Sequence, residues 1–174
     1  CDKVHSIPAK LEAAGPKVFD LSARGSVSPQ LLKESILKSG YGVDIICLSY
    51  KPEDEFFVKN LLSALSILVN DYHYLVLDLP SSMDRPIFNI LNQSDLIHIL
   101  TGPDPVDLKR TYHLVHRLEE VFEFYPEKIK IIINEYKLSK LSHEEHMEIL
   151  KHGIFATLPH IEFEAQDRLI LDNP

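Results

Sequence analysis

The chain has 174 residues, 45% of them hydrophobic and 25% charged, with no Trp and a net charge of -8. That length can bury one good core as a single domain, and the acidic balance argues against a nucleic-acid backbone as the main partner, which would call for a basic face. Two cysteines, Cys1 and Cys47, form no disulfide framework and no metal-ligand spacing, so a reducing, cytosolic setting is expected.

No apolar run nears the roughly 20 residues that would cross a bilayer, and the start has no charged-then-apolar signal pattern. Residues 1–27 are a poorly defined lead-in in which Lys17–Leu21 could be a short strand or a turn. Ser28-Pro29 reads as an N-cap followed by Pro at the first helical position, opening a helix to about Lys38. Val43–Leu48 is the next predicted strand. Pro52–Glu55 places negative charge in a first helical turn, where the helix dipole favours it, and the apolar spacing from Phe56 to Val69 continues that helix.

Tyr74-Leu75-Val76-Leu77-Asp78 runs apolar into a single carboxylate, with Pro80 and two Ser behind it. An uninterrupted apolar run bounded by turn residues predicts a strand buried on both faces. Arg85–Gln93 fits a short helix, Asp95–Leu100 a strand, Val106–Phe122 the longest helix and Lys130–Ile133 another strand. Ser142-His143-Glu144-Glu145 matches a capping box for a helix through Leu150. Gly153 is read as its stop, Ile154–Leu158 as the last strand and Glu162–Leu171 as a closing helix. Strands and helices alternate about five times, which predicts one α/β domain over 1–174: a three-layer parallel sheet with helices on both faces.

Three polar positions follow strands: Asp78, Thr101 with Asp104, and Asn134. In a parallel sheet they collect at the carboxyl edge of the strands, where open α/β sheets bind ligands. Asp78 reads either as facing a ligand, directly or through a metal ion, or as capping the turn Leu79-Pro80-Ser81. The pairs His113/His116 and His143/His146 could each share a helix face, but zinc wants a further ligand in register. His143-Glu144-Glu145-His146 is one residue too short for H-E-x-x-H, so these read as surface histidines. Ser81-Ser82 lack a glycine-flanked nucleophile elbow, and Cys47 reads as a small buried apolar residue. Neither G-x-x-x-x-G-K-[ST] nor G-x-G-x-x-G occurs, so no phosphate-cradling loop is present in these residues.

From Asp44 onward the chain resembles the MinD/ParA family of P-loop ATPases, in particular the branch of pilus- and flagellum-positioning proteins typified by CpaE and FlhG. Tyr72-x-Tyr74–Pro80 is similar to the family's switch II strand with its D-x-P. Ser94–Asp104 is similar to its A-D-x-hydrophobic-T-x-P-D segment, Ile131–Tyr136 to its V-x-N-R/K-Y strand end, and Phe155–His160 with Asn173-Pro174 to its closing F-x-x-I-P and G-x-P. The resemblance implies the P-loop NTPase fold without its first strand or strands. It assigns Asp78 to switch II near Mg²⁺ and the attacking water, Asn134 to the adenine edge and Pro159 to the base pocket.

ATP and Mg²⁺ are implied as cofactors of the intact family domain. Without the P-loop lysine, no ATP hydrolysis is expected of this polypeptide alone. Ser82 stands where the family has a glycine, and Glu135 where it has Arg or Lys. The resemblance further implies positioning or assembly of a pilus, secretion or flagellar machine, protein partners, a homodimer and a cytoplasmic location, peripheral to the inner membrane. The alternative is a non-enzymatic pseudo-ATPase or receiver-like interaction domain.

Overall fold

A computed structural model describes residues 17–22, 25–39, 42–49, 56–80 and 85–160. The expectations for Pro52–Glu55, Ser81-Ser82, the closing helix Glu162–Leu171 and Asn173-Pro174 lie outside these residues. The chain divides into two compact units, 1–90 and 91–174.

In the first unit, β1 (Val18–Asp20) pairs in parallel with β2 (Cys47–Ser49). Between them, α1 (Pro29–Glu34) starts as expected, with the Ser28 hydroxyl accepting from the Leu31 amide at 3.4 Å. It ends four residues earlier than predicted. The Ser35 hydroxyl donates back to the Leu31 carbonyl, and Leu37 then forms an antiparallel bridge with Ile45. That bridge takes the front of the predicted strand Val43–Leu48 and leaves Cys47–Ser49 for the sheet. It is pinned by the Tyr72 hydroxyl, which donates to Asp44 at 2.6 Å and accepts from Lys38 at 3.0 Å. Lys38 also pairs with Asp44, and that bond is the main reason the Asp44 carboxyl sits below its usual range.

α2 (Phe57–Leu68) buries Phe57, Leu61, Ala64 and Leu68 at helical spacing, as the sequence periodicity requires. Its one buried polar residue, Asn60, donates from Nδ2 to the Leu21 carbonyl at 2.7 Å, tying the helix to the end of β1. Burying that amide unpaired would be costly; paired, it fixes the helix against the strand end.

The stretch Tyr74–Asp78 departs most from expectation. It joins no strand among the described residues. Tyr74 is 88% and Val76 92% exposed, while Leu75 and Leu77 are half-buried. One face therefore packs and the other is open. An apolar run states that burial is favourable; it does not supply the neighbouring strand that would provide it.

α3 (Arg85–Gln93) matches its predicted bounds and buries Ile87 and Ile90. In the second unit, β3 (Ile97–Thr101), β4 (Ile129–Ile133) and β5 (Ile154–Thr157) form a parallel sheet in that order. α4 (Pro105–Glu120) and α5 (His143–Leu150) are the crossovers, and they pack on each other. Parallel crossovers are right-handed, so two that step the same way lie on one sheet face. That face holds Ile97, Thr101, Ile129, Ile131 and Ile133, all buried. The opposite face carries His98, Leu100, Lys130 and Phe155, with Leu100 63% and Phe155 60% exposed.

The register slips between Ile131 and Ile132, which pair with Ile154 and Ala156, so Phe155 is an extra residue in β5. The capping box at Ser142 forms as expected, with reciprocal bonds to Glu145 of 3.2 and 2.7 Å. The stop at the other end is Lys151, in left-handed conformation (φ 48°), rather than Gly153. Lys151 donates its amide to Met147, so its backbone does the work expected of the glycine.

Candidate functional site

The carboxyl ends of β3, β4 and β5 converge through the backbone. The Asn134 amide donates to the Thr101 carbonyl at 2.9 Å, and the Tyr136 amide to the Leu158 carbonyl at 3.0 Å. The Leu158 amide in turn donates to Ile133 at 2.8 Å. Thr101, Asn134 and Leu158-Pro159 thus meet at one sheet edge, where parallel topology led Thr101 and Asn134 to be expected. Asn134 and Pro159 are exposed there, and Thr101 is buried with its hydroxyl on the Gly102 carbonyl.

Glu135 sits at the crest of this turn in left-handed conformation (φ 53°), which a non-glycine residue rarely adopts. The turn is held from below as well. The Tyr136 ring lies 5.1 Å from the ring of His146 and 6.5 Å from that of His143. Ser139 donates its hydroxyl to the Pro103 carbonyl at 3.1 Å, tying the loop after β4 to the loop after β3.

Asp104 takes a different part from the one expected. Its carboxylate accepts from the Val106 and Asp107 amides at 2.9 and 3.2 Å, as the N-cap of α4. The Asp107 amide is the leading cause that holds the Asp104 carboxyl below its usual range, and the positive end of the helix dipole favours the same charge. Asp104 is therefore committed to the helix. A Cβ at Gly102 would meet the Asp107 carboxylate, a part-exposed side-chain end that can turn aside.

Of the pair His143/His146, the first is exposed as expected and the second corrects the surface reading. His146 is fully buried. Its Nδ1 lies 2.6 Å from the Ser142 carbonyl oxygen, which can only accept, so in the neutral ring Nδ1 carries the proton and Nε2 keeps a buried lone pair with no partner among the described residues. The helix periodicity gave His146 a core-facing position; its polarity hid that. Among the described residues, no group of three His, Cys, Asp or Glu side chains lies close enough to hold a metal ion.

Asp78, in the first unit, is exposed, and no hydrogen bond to its carboxylate is made among the described residues. A free carboxylate suits a hydrated Mg²⁺, which is commonly held through one or two carboxylates with several waters retained. Asn134 suits a purine edge, because its amide both donates and accepts.

No protein-family model matches the chain. It is 25% identical over 154 residues to the septum site-determining protein MinD of Thermotoga maritima, covering 86% of this chain and 55% of that protein. The chain thus spans about half the length of this relative. Its fold is similar to that of a ParA family ATPase from Chlorobium tepidum TLS, with a TM-score of 0.75, 20% identity and coverage of 97% of this chain and 72% of that one. It is also similar to the structure of the MinC:MinD cell division protein complex of Aquifex aeolicus, with a TM-score of 0.61, 18% identity and coverage of 82% and 59%. No described helix is long and apolar enough to cross a membrane. Parallel sheets joined by helical crossovers, together with these likenesses, give the chain the α/β fold seen in the ParA/MinD P-loop NTPases.

Proposed function

We propose that this chain carries the base-binding and switch portions of a MinD/ParA-type ATP-binding domain, with the phosphate cradle supplied from outside these residues. The observation that carries this reading is the convergence of Thr101, Asn134 and Leu158-Pro159 at one strand edge through three backbone hydrogen bonds. In this role Asn134 pairs with the adenine edge and Pro159 lines the base. Asp78 would hold a hydrated Mg²⁺ through its exposed carboxylate and position the water for phosphoryl transfer. Mg²⁺, when bound, neutralises charge on the phosphates. Turnover belongs to the complete domain, since no glycine-rich loop or P-loop lysine is present here.

The same reading extends to service of a pilus, secretion or flagellar machine through protein partners and a homodimer, by a protein located in the cytoplasm and peripheral at the inner membrane. The similarity to MinD in its complex with MinC supports protein partnership.

Calorimetry with Mg-ATP tests the reading. Weak, millimolar binding that Asn134→Ala abolishes is expected; tight binding would overturn the claim that the phosphate cradle lies elsewhere. In the complete protein, Asp78→Ala is expected to lower hydrolysis by at least a hundredfold, in the range typical of a lost transition-state contact. An unchanged rate would remove Asp78 from the site.

A further inference from the structure

The residue after Pro159 has a feature that the assignments above leave unused. His160 Nδ1 lies 3.2 Å from Glu135 Oε1, joining the segment after β5 to the turn after β4. Neither side chain is buried: His160 is 39% and Glu135 46% exposed. The contact brackets Asn134 and Pro159, since Glu135 follows the first and His160 the second in sequence. Its Glu135 end is fixed by the turn itself, with the backbone held on either side by the bonds to Thr101 and Leu158. A strained, externally held turn of this kind points to a function for what it displays.

The chemistry follows from the donor and acceptor inventory. An ionised carboxylate only accepts, so in the neutral imidazole the proton sits on Nδ1 and Nε2 bears a lone pair. Among the described residues, nothing bonds to that Nε2. We propose that Glu135 orients His160 so that its Nε2 lone pair faces the nucleobase edge, making His160 a specificity-determining residue that favours a base with an exocyclic amino group at C6 over one with a carbonyl there. An adenine nucleotide donates its amino proton to Nε2, whereas a guanine nucleotide sets its carbonyl oxygen against the lone pair. Glu135 is then a positioning residue acting through the ring. The proposal rests on the base-edge reading of Asn134 and Pro159.

The test is a titration of the isotopically labelled chain with AMP and with GMP, following the backbone amides of Asn134 and Glu135. One hydrogen bond at this exposure gives about a tenfold preference for AMP. His160→Phe keeps a flat ring without the lone pair, and the ratio is expected to fall to about one. Glu135→Leu frees the ring and is expected to lower the ratio as well. Long-range proton–nitrogen spectra of the unliganded chain at pH 8 are expected to show the Nδ1–H form of His160 in the wild type.

An Nε2–H form in the wild type, or an AMP preference that survives His160→Phe, overturns the proposal while leaving the base edge standing. If neither nucleotide moves the Asn134 and Glu135 amides, the base edge itself is refuted and this proposal with it.

Discussion

Two apolar runs of this chain invite the same reading and meet opposite fates. Ile129–Ile133 and Tyr74–Asp78 are each five residues long and each leads into a polar segment. The first is the central strand of a parallel sheet, with Ile129, Ile131 and Ile133 almost inaccessible. The second joins no strand among the described residues, with Tyr74 and Val76 facing outward. The difference lies in what flanks them. β4 has a strand on each side and the helices α4 and α5 over one face, whereas the Tyr74 stretch is anchored at its root by Lys38, Asp44 and Tyr72 and packs only through Leu75 and Leu77. Hydrophobicity measures the gain on burial, and topology decides whether burial is on offer.

That contrast can be broken most directly by shortening one side chain in each run. Ile131→Ala should cost about 3 kcal/mol, the mid-range for a truncated core isoleucine. Val76→Ala should change stability by less than about 0.5 kcal/mol, as at other exposed positions. Urea denaturation measures both, and a comparable loss from Val76→Ala would mean that the stretch is covered in solution. A second cut tests the polar anchor of the first unit. Asn60→Ala strands the Leu21 carbonyl and should cost about 2 kcal/mol by the same measurement.

His146 gives the matching test in the second unit. Phe fills its place without an unpaired lone pair, so His146→Phe should leave stability unchanged or raise it by up to about 1 kcal/mol. A large loss would show that Nε2 has a partner. The smallest effect is electrostatic. The Asp104 carboxyl is held below its usual value by the amide of Asp107, so its contribution is present above the unfolded-state value and is lost as pH falls through the lower, folded one. Asn also caps well. Asp104→Asn should therefore fold normally near neutrality while showing a smaller fall in melting temperature on acidification below about pH 4 than the wild type, where the ordinary Asp value lies.

Legibility in the sequence follows the range of the interaction. Ser28-Pro29, the Ser142–Glu145 box and the bounds of Arg85–Gln93 were readable because a cap or a helix is decided within a few residues. That Thr101 and Asn134 share an edge was readable because parallel topology sends every carboxyl end to one side, whereas Pro159 was legible only through the family resemblance. The early end of α1 was not, since it depends on Leu37 finding Ile45. Nor was the fate of Tyr74–Asp78, which depends on a neighbour that its own composition cannot name. The burial of His146 is masked in the sequence because its polarity argues for the surface while its position lies on the buried face of α5. Lys151 and Glu135 took left-handed conformations that pattern reading assigns to glycine, and only the surrounding hydrogen bonds show why.

The extra residue in β5 sets the reach of the whole edge. By absorbing Phe155, the slip draws each later residue of the strand back by one position, a distance of about 3.3 Å along a strand. Thr157 therefore arrives level with Ile133, and Leu158 and Pro159 emerge beside Asn134 and Glu135 instead of overshooting them. The slip works as a vernier between two strands of unequal count. Removing one residue from Ile154–Thr157 would lose that alignment while leaving the sheet's order intact, so strand length here is itself part of the proposed recognition surface.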